Sequence, residues 1–166
     1  TLATVRSPVG GSLRWDGHSR PKLDDAKERV ALVRPEIMAG TVYNNLRIGD
    51  AALSTSRAWQ ALEKVGLSDV IDGIPGGLDC ELLPSGAPLS PGQVRRLVLA
   101  RALVARPGLL LIDETLDFLS NDDEVQDQLV ELFVGGEAPW TAVITTRDPR
   151  VRARLSESLS ITEQPR

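Results

Sequence analysis

Two short segments carry the residue types from which phosphate chemistry is built. The first is Leu89-Ser90-Pro91-Gly92-Gln93, placed just before an apolar-periodic run. A serine, then proline, then glutamine three residues after the serine is the pattern of a capping box. Ser90 is the N-cap, Pro91 the first helical residue, and Gln93 reaches back to the Ser90 N–H. Such a cap stabilises a helix by about 1 kcal/mol and needs no further role. The same geometry offers a hydroxyl, unused backbone N–H groups and the positive end of a helix dipole, which together suit a phosphate. The second segment is Leu109-Leu110-Leu111-Ile112-Asp113-Glu114, an apolar run of strand length ending in two acids. In open α/β sheets, ligands gather beyond the carboxyl ends of the strands. There Asp113 could hold Mg²⁺ through water, and Glu114 could orient or deprotonate a water that attacks a terminal phosphate. An acidic pair that merely caps the following turn has the same sequence. Each motif alone leaves both readings open.

The elements that must position these residues are readable from pattern. Val9-Gly10-Gly11 followed by Ser12-Leu13-Arg14-Trp15 and Asp16-Gly17 predicts a short strand ending in a tight turn. Lys22 to Arg29 is helix-compatible, and Val30-Ala31-Leu32-Val33 predicts a short buried strand stopped before Pro35. Ser54 to Val65 places Ala58, Ala61, Leu62 and Val65 on one helical face, closed by Gly66. The helix opened by Ser90 places Val94, Leu97, Val98, Ala102 and Leu103 on one side, and Pro107-Gly108 breaks it. Leu109–Ile112 predicts a strand buried on both faces. Glu124 to Phe133 predicts an amphipathic helix, and Trp140 to Thr145 a second inner strand. Strands alternating with helices indicate an α/β sheet with parallel central strands. The helical stretch from about Val42 to Arg106 reads as a subdomain inserted into it.

Composition narrows the chemistry. The chain has 166 residues, 42% hydrophobic and 25% charged, enough for one domain with a real core. A net charge of −4 opposes broad affinity for nucleic acid or an anionic membrane. Charges interrupt every apolar run, so no bilayer-spanning segment and no secretory signal is expected. The single cysteine, Cys80, excludes an internal disulfide and a thiolate metal cluster, and it suits the cytosol. The single histidine, His18, excludes any chemistry that needs a pair. Of the three lysines, Lys22, Lys27 and Lys64, none sits in a Gly-x-x-x-x-Gly-Lys-Ser/Thr setting, the ordinary phosphate-binding P-loop. Trp15, Trp59 and Trp140 read as packing residues rather than base-stacking platforms, and Arg150, Arg152 and Arg154 as a solvated basic stripe.

Taken in order, the motifs resemble the nucleotide-binding domain of ATP-binding cassette (ABC) transporters of exporter type. Leu89 to Gln93 is similar to that family's signature sequence. Ala100-Arg101-Ala102-Leu103 and Pro107 resemble the helix and break that follow it. Leu109 to Asp113 resembles the Walker B strand, with Glu114 at the catalytic glutamate. Ala39 to Leu46 resembles the segment that opens the helical subdomain, Gly77 to Pro88 the loop before the signature, and Leu13 to Gly17 the strand and turn after the P-loop helix. The resemblance runs from about Thr1 to Asp148. It implies an α/β, P-loop NTPase-like fold with a parallel-sheet core (1–41 and 107–166), a helical subdomain (42–106) carrying the signature helix, and a short antiparallel β portion.

The resemblance also implies a site. Ser90, Gly92 and Gln93 would serve ATP held by a second nucleotide-binding domain, identical or different. Asp113 would hold Mg²⁺ through water, and Glu114 would be catalytic. A transmembrane domain would complete the machine on the cytoplasmic face of a membrane, with no nucleic acid and no direct membrane insertion by this chain.

Departures from the family pattern bear on activity. The Walker A loop has no counterpart in these residues, and Thr1–Val5 resembles the helix just after it, as in a chain cut downstream of the P-loop. The glutamine-loop position falls on Arg34 or Glu36, and the switch histidine on Thr146. Ser120 stands where the family ends its dimer-contact loop in aspartate. Pro91 replaces the first signature glycine and removes one backbone donor. Each lost transition-state contact costs roughly 2–4 kcal/mol. The pattern implies a degenerate or truncated half of an asymmetric pair, in which one composite site hydrolyses ATP and the other mainly binds; without the P-loop, these 166 residues by themselves would bind ATP weakly or not at all. Alternatives are a non-catalytic regulatory or structural ABC-type partner, and a soluble ABC ATPase of DNA maintenance. The compact interval from Glu36 to Ser90, without heptads, and the acidic charge both oppose the latter.

Overall fold

The computed structural model describes residues 14–15, 18–19, 30–117, 123–136 and 138–158. The segments Thr1–Val5 and Lys22–Arg29, the Asp16-Gly17 pair and Ser120 lie outside the described residues. In chain order the elements are β1 (Arg14–Trp15), β2 (His18–Ser19), β3 (Val30–Val33), β4 (Gly40–Thr41), α1 (Val42–Leu46), α2 (Thr55–Lys64), α3 (Ser68–Gly73), β5 (Glu81–Leu82), α4 (Pro91–Ala105), β6 (Leu109–Asp113), α5 (Asp123–Val134), β7 (Thr141–Thr145) and α6 (Pro149–Ala153).

The described core sheet is parallel, with order β3-β6-β7. Its central strand, β6, buries Leu109, Leu110, Leu111 and Ile112 completely and exposes only Asp113 at its tip. This is what a parallel strand covered on both faces requires. The two flanking strands differ from the expectation of buried inner strands. Within the described sheet each pairs with β6, and Leu32 of β3 is 45% exposed and Val143 of β7 42% exposed. In β7 the exposed residues, Thr141, Val143 and Thr145, alternate with half-buried ones. Two small antiparallel ribbons accompany the core: β1 with β2, and β4 with β5.

The helical portion follows its sequence cues closely at α2. Ser54 caps it by accepting the Arg57 N–H at 3.3 Å, and Ala58, Ala61 and Leu62 are buried together with Val65. The helix ends on Gly66 at φ +64°, with the Leu67 N–H reaching back to the Leu62 carbonyl at 2.8 Å. Only a residue without Cβ adopts that left-handed turn at no cost. Arg57 then ties α2 to its surroundings, pairing with Asp50 at 2.6 Å and donating to the Val104 carbonyl at 3.2 Å. The hydrogen bond from Arg57 holds the Asp50 carboxyl below its ordinary range.

Helix α4 departs from the one-sided pattern predicted for it. Leu99, Ala100 and Val104 are buried along with Val94, Leu97, Val98 and Ala102, while Leu103 is only half-buried. The cause is its place in the fold: α4 packs on α1, α2 and β3 at once, so most of its circumference is covered. Arg106 takes a left-handed φ of 47° to end it before Pro107. In α5, Phe133 is fully buried. Its carbonyl accepts the Trp140 indole N–H at 3.0 Å, and the two rings lie tilted at 5.9 Å. Trp59 and Trp140 are both half-buried packing residues. The basic stripe is partly engaged rather than simply solvated: Arg154 pairs with Asp127 at 3.0 Å and Glu131 at 2.9 Å, and Arg150 with Asp148 at 3.3 Å. Among the described residues no helix is long and apolar enough to cross a membrane.

Candidate nucleotide site

The amino end of α4 forms the capping box its sequence predicts. Ser90 Oγ accepts the Gln93 N–H at 3.3 Å, and Gln93 Oε1 accepts the Ser90 N–H at 2.8 Å. Ser90 is exposed, and Gly92 and Gln93 are half-buried. Pro91 has no N–H, so Gly92 supplies the first-turn donor that the box does not use. A positive helix terminus therefore faces solvent where another molecule can reach it.

The second half of the site sits where three parallel strands end together. Val33 lies opposite Ile112, and Asp113 opposite Thr145, so the residues just after β3, β6 and β7 converge. Asp113 Oδ1 accepts the Thr145 hydroxyl at 2.8 Å, and Asp113 Oδ2 faces Arg34 Nε at 3.6 Å. Glu114 has a left-handed φ of 48°, unusual for a side chain of this size. Its N–H is held by the Thr145 carbonyl at 3.1 Å and hydroxyl at 3.2 Å, and its Oε1 pairs with Arg147 Nε at 3.0 Å. Thr115, fully buried, fastens the turn by donating to the Asp113 carbonyl at 2.9 Å and sharing with the Val33 carbonyl at 3.3 Å.

Of the residues singled out from sequence, Arg34, Asp113 and Glu114 are thus gathered at one tip. Thr146 is near it but engaged elsewhere: its hydroxyl donates to Asp117 Oδ1 at 2.5 Å. Glu36 remains an exposed loop acid whose carbonyl accepts from Arg101 at 3.3 Å. Among the described residues, no hydrogen bond or ion pair joins Ser90, Gly92 or Gln93 to the acidic pair.

Sequence reasoning missed two connecting groups. Asp117 is 4% exposed and accepts both the Thr146 hydroxyl and the Arg147 N–H, the latter at 2.8 Å; its carbonyl accepts Arg95 Nη1 of α4 at 2.8 Å. It links α4, the loop after β6 and the loop after β7. Asn45, 1% exposed, holds both the N–H and the carbonyl of Met38, and its carbonyl and amide oxygens accept Arg101 of α4 at 2.8 and 3.0 Å. Burial lowers the Arg101 pKa, the nearby Glu36 charge partly opposing this. A lone buried Asn or Asp leaves no periodic mark in a sequence, so neither role was visible there.

A parallel sheet with an acidic strand tip, joined to a helical unit that presents a serine-capped terminus, defines an α/β nucleotide-binding domain. The family model described as ABC transporter matches residues 1–117, and the chain belongs to that family, as a nucleotide-binding domain with exporter relatives. P-glycoprotein 14 of Caenorhabditis elegans is 36% identical over 127 residues, covering 73% of this chain and 10% of that protein. The mitochondrial potassium channel ATP-binding subunit of Rattus norvegicus is 32% identical over 162 residues, covering 93% and 22%. The glutathione/L-cysteine transport protein CydC of Bacillus subtilis is 30% identical over 138 residues, covering 80% and 24%. The chain therefore spans at most about a quarter of these relatives. A solved bacterial Atm1-family ABC exporter with ATP bound shares the fold, at TM-score 0.75 and 22% identity over 86% of this chain and 26% of that one.

Proposed function

We propose that this chain is the non-hydrolysing half of an asymmetric pair of nucleotide-binding domains in an ABC exporter. It offers Ser90, Gly92 and Gln93 to ATP held by a second domain, and the closure of the pair drives a transmembrane domain on the cytoplasmic side of a membrane. The observation that carries this reading is the contrast between the two halves of the site. The α4 terminus is exposed with its capping box formed, whereas both carboxylates of the acidic tip face arginines. A helix terminus needs no help from the rest of its own chain to accept a phosphate from another. Hydrolysis does need help: the resemblance puts Arg34 or Glu36 at the family's glutamine position, and Thr146 has its hydroxyl committed to Asp117.

ATP turnover by the assembled pair tests this reading. Because the Glu114 carboxylate already pairs with Arg147, Glu114→Gln in this chain is expected to leave turnover within about twofold of the unsubstituted pair. A loss of about 100-fold would overturn the proposal.

A further inference from the structure

The two arginines at the strand tip come from opposite sides. β3 ends at Val33, in register with Ile112, so the next residue, Arg34, stands beside Asp113. β7 ends at Thr145, in register with Asp113, and Arg147 follows two residues later with its N–H fixed by Asp117 at 2.8 Å. That anchor turns the Arg147 guanidinium onto Glu114. We propose that Arg34 and Arg147 are the resident cations of this acidic tip and exclude the divalent ion that ABC domains use there.

The donor set supports the exclusion. Mg²⁺ demands near-octahedral oxygen ligands and gives up its water reluctantly, so it needs carboxylate oxygens that are free to turn toward it. Asp113 has one oxygen on the Thr145 hydroxyl and the other toward Arg34, and Glu114 is turned toward Arg147. An arriving dication would also meet two guanidinium charges that no physiological pH removes. The arginine side chains are 50% and 81% exposed, so each pair is weak alone. They compete, however, with an ion that two carboxylates without phosphate hold only weakly, and small differences decide. The inference rests on reading the strand tip as the family's metal position, and it does not depend on what Ser90 and Gly92 do for a partner.

The test uses Mn²⁺ as probe, with free ion followed by electron paramagnetic resonance during titration of the 166-residue chain. The Arg34→Gln/Arg147→Gln double variant is expected to bind Mn²⁺ about tenfold more tightly than the wild type, and Asp113→Asn added to it is expected to abolish the gain. A gain below fivefold, or a gain that survives Asp113→Asn, overturns the proposal. Each single substitution is expected to give about threefold, so a poorly folding double variant leaves the comparison intact, and the absence of any gain in both singles then counts against it.

Discussion

Replacing Gly92 with aspartate in the assembled transporter is expected to lower ATP turnover by at least about 100-fold, while Glu114→Gln in the same chain is expected to change it less than about twofold. The asymmetry follows from which half of the site this chain offers. Gly92 lies in the first turn of α4, where its N–H is the donor left over by the Ser90–Gln93 box. An aspartate there is compatible with the helix, because a negative charge near the amino end is favoured by the dipole. The same charge repels the phosphate that the terminus is proposed to receive, so the loss falls on nucleotide and not on folding. Glu114 is already bound to Arg147 at 3.0 Å, and its neutral replacement takes away little that is in use. Turnover measurements on the two variants, with thermal unfolding as a control, separate the cases. A large loss at Glu114 together with normal turnover at Gly92→Asp would reverse the assignment.

Phe133→Ala is expected to destabilise the fold by about 3–5 kcal/mol, the usual range for emptying a fully buried phenyl site. Phe133 has no exposed surface and lies against the half-buried Trp140 ring, whose indole N–H is bound to the Phe133 carbonyl at 3.0 Å. The tilted contact at 5.9 Å adds to the area lost. Trp140 cannot follow the shrinking side chain without giving up that hydrogen bond, so the cavity persists. Phe133→Leu keeps most of the volume and is expected to cost less than about 1.5 kcal/mol. Denaturant unfolding measures both. A loss under about 1 kcal/mol for the alanine variant would show that the surroundings of Phe133 collapse freely.

Much of the positioning was legible because it is local. The capping box at Ser90 and Gln93, the closing glycine at Gly66 and the apolar face of α2 each depend on residues within one or two turns, and the structure has all three. The run Leu109–Ile112 could be read as a central strand because only a strand covered on both faces stays apolar without alternation. What was not legible is which face each flanking strand leaves open. Val30–Val33 and Thr141–Thr145 were expected to be buried, and nothing within either run marks Leu32 or Val143 as exposed. Long-range polar pairing escaped for a related reason. Arg147 meets Glu114, and Arg34 meets Asp113, only because strands remote in sequence end in register. The family resemblance supplied roles for Arg34 and Thr146 but not the fact that one pairs with Asp113 and the other with Asp117.

The most direct measurement is a cross-link between Ser90→Cys, in a Cys80→Ser background, and a cysteine placed in the Gly-rich phosphate loop of the opposing nucleotide-binding domain. Ser90 is exposed, and a disulfide forms only when the two Cα atoms approach within about 7 Å. Efficient intermolecular bridging with ATP present, and little without it, is the predicted result. Equal bridging with and without nucleotide, or none at all, would mean that the α4 terminus does not close over another subunit's ATP.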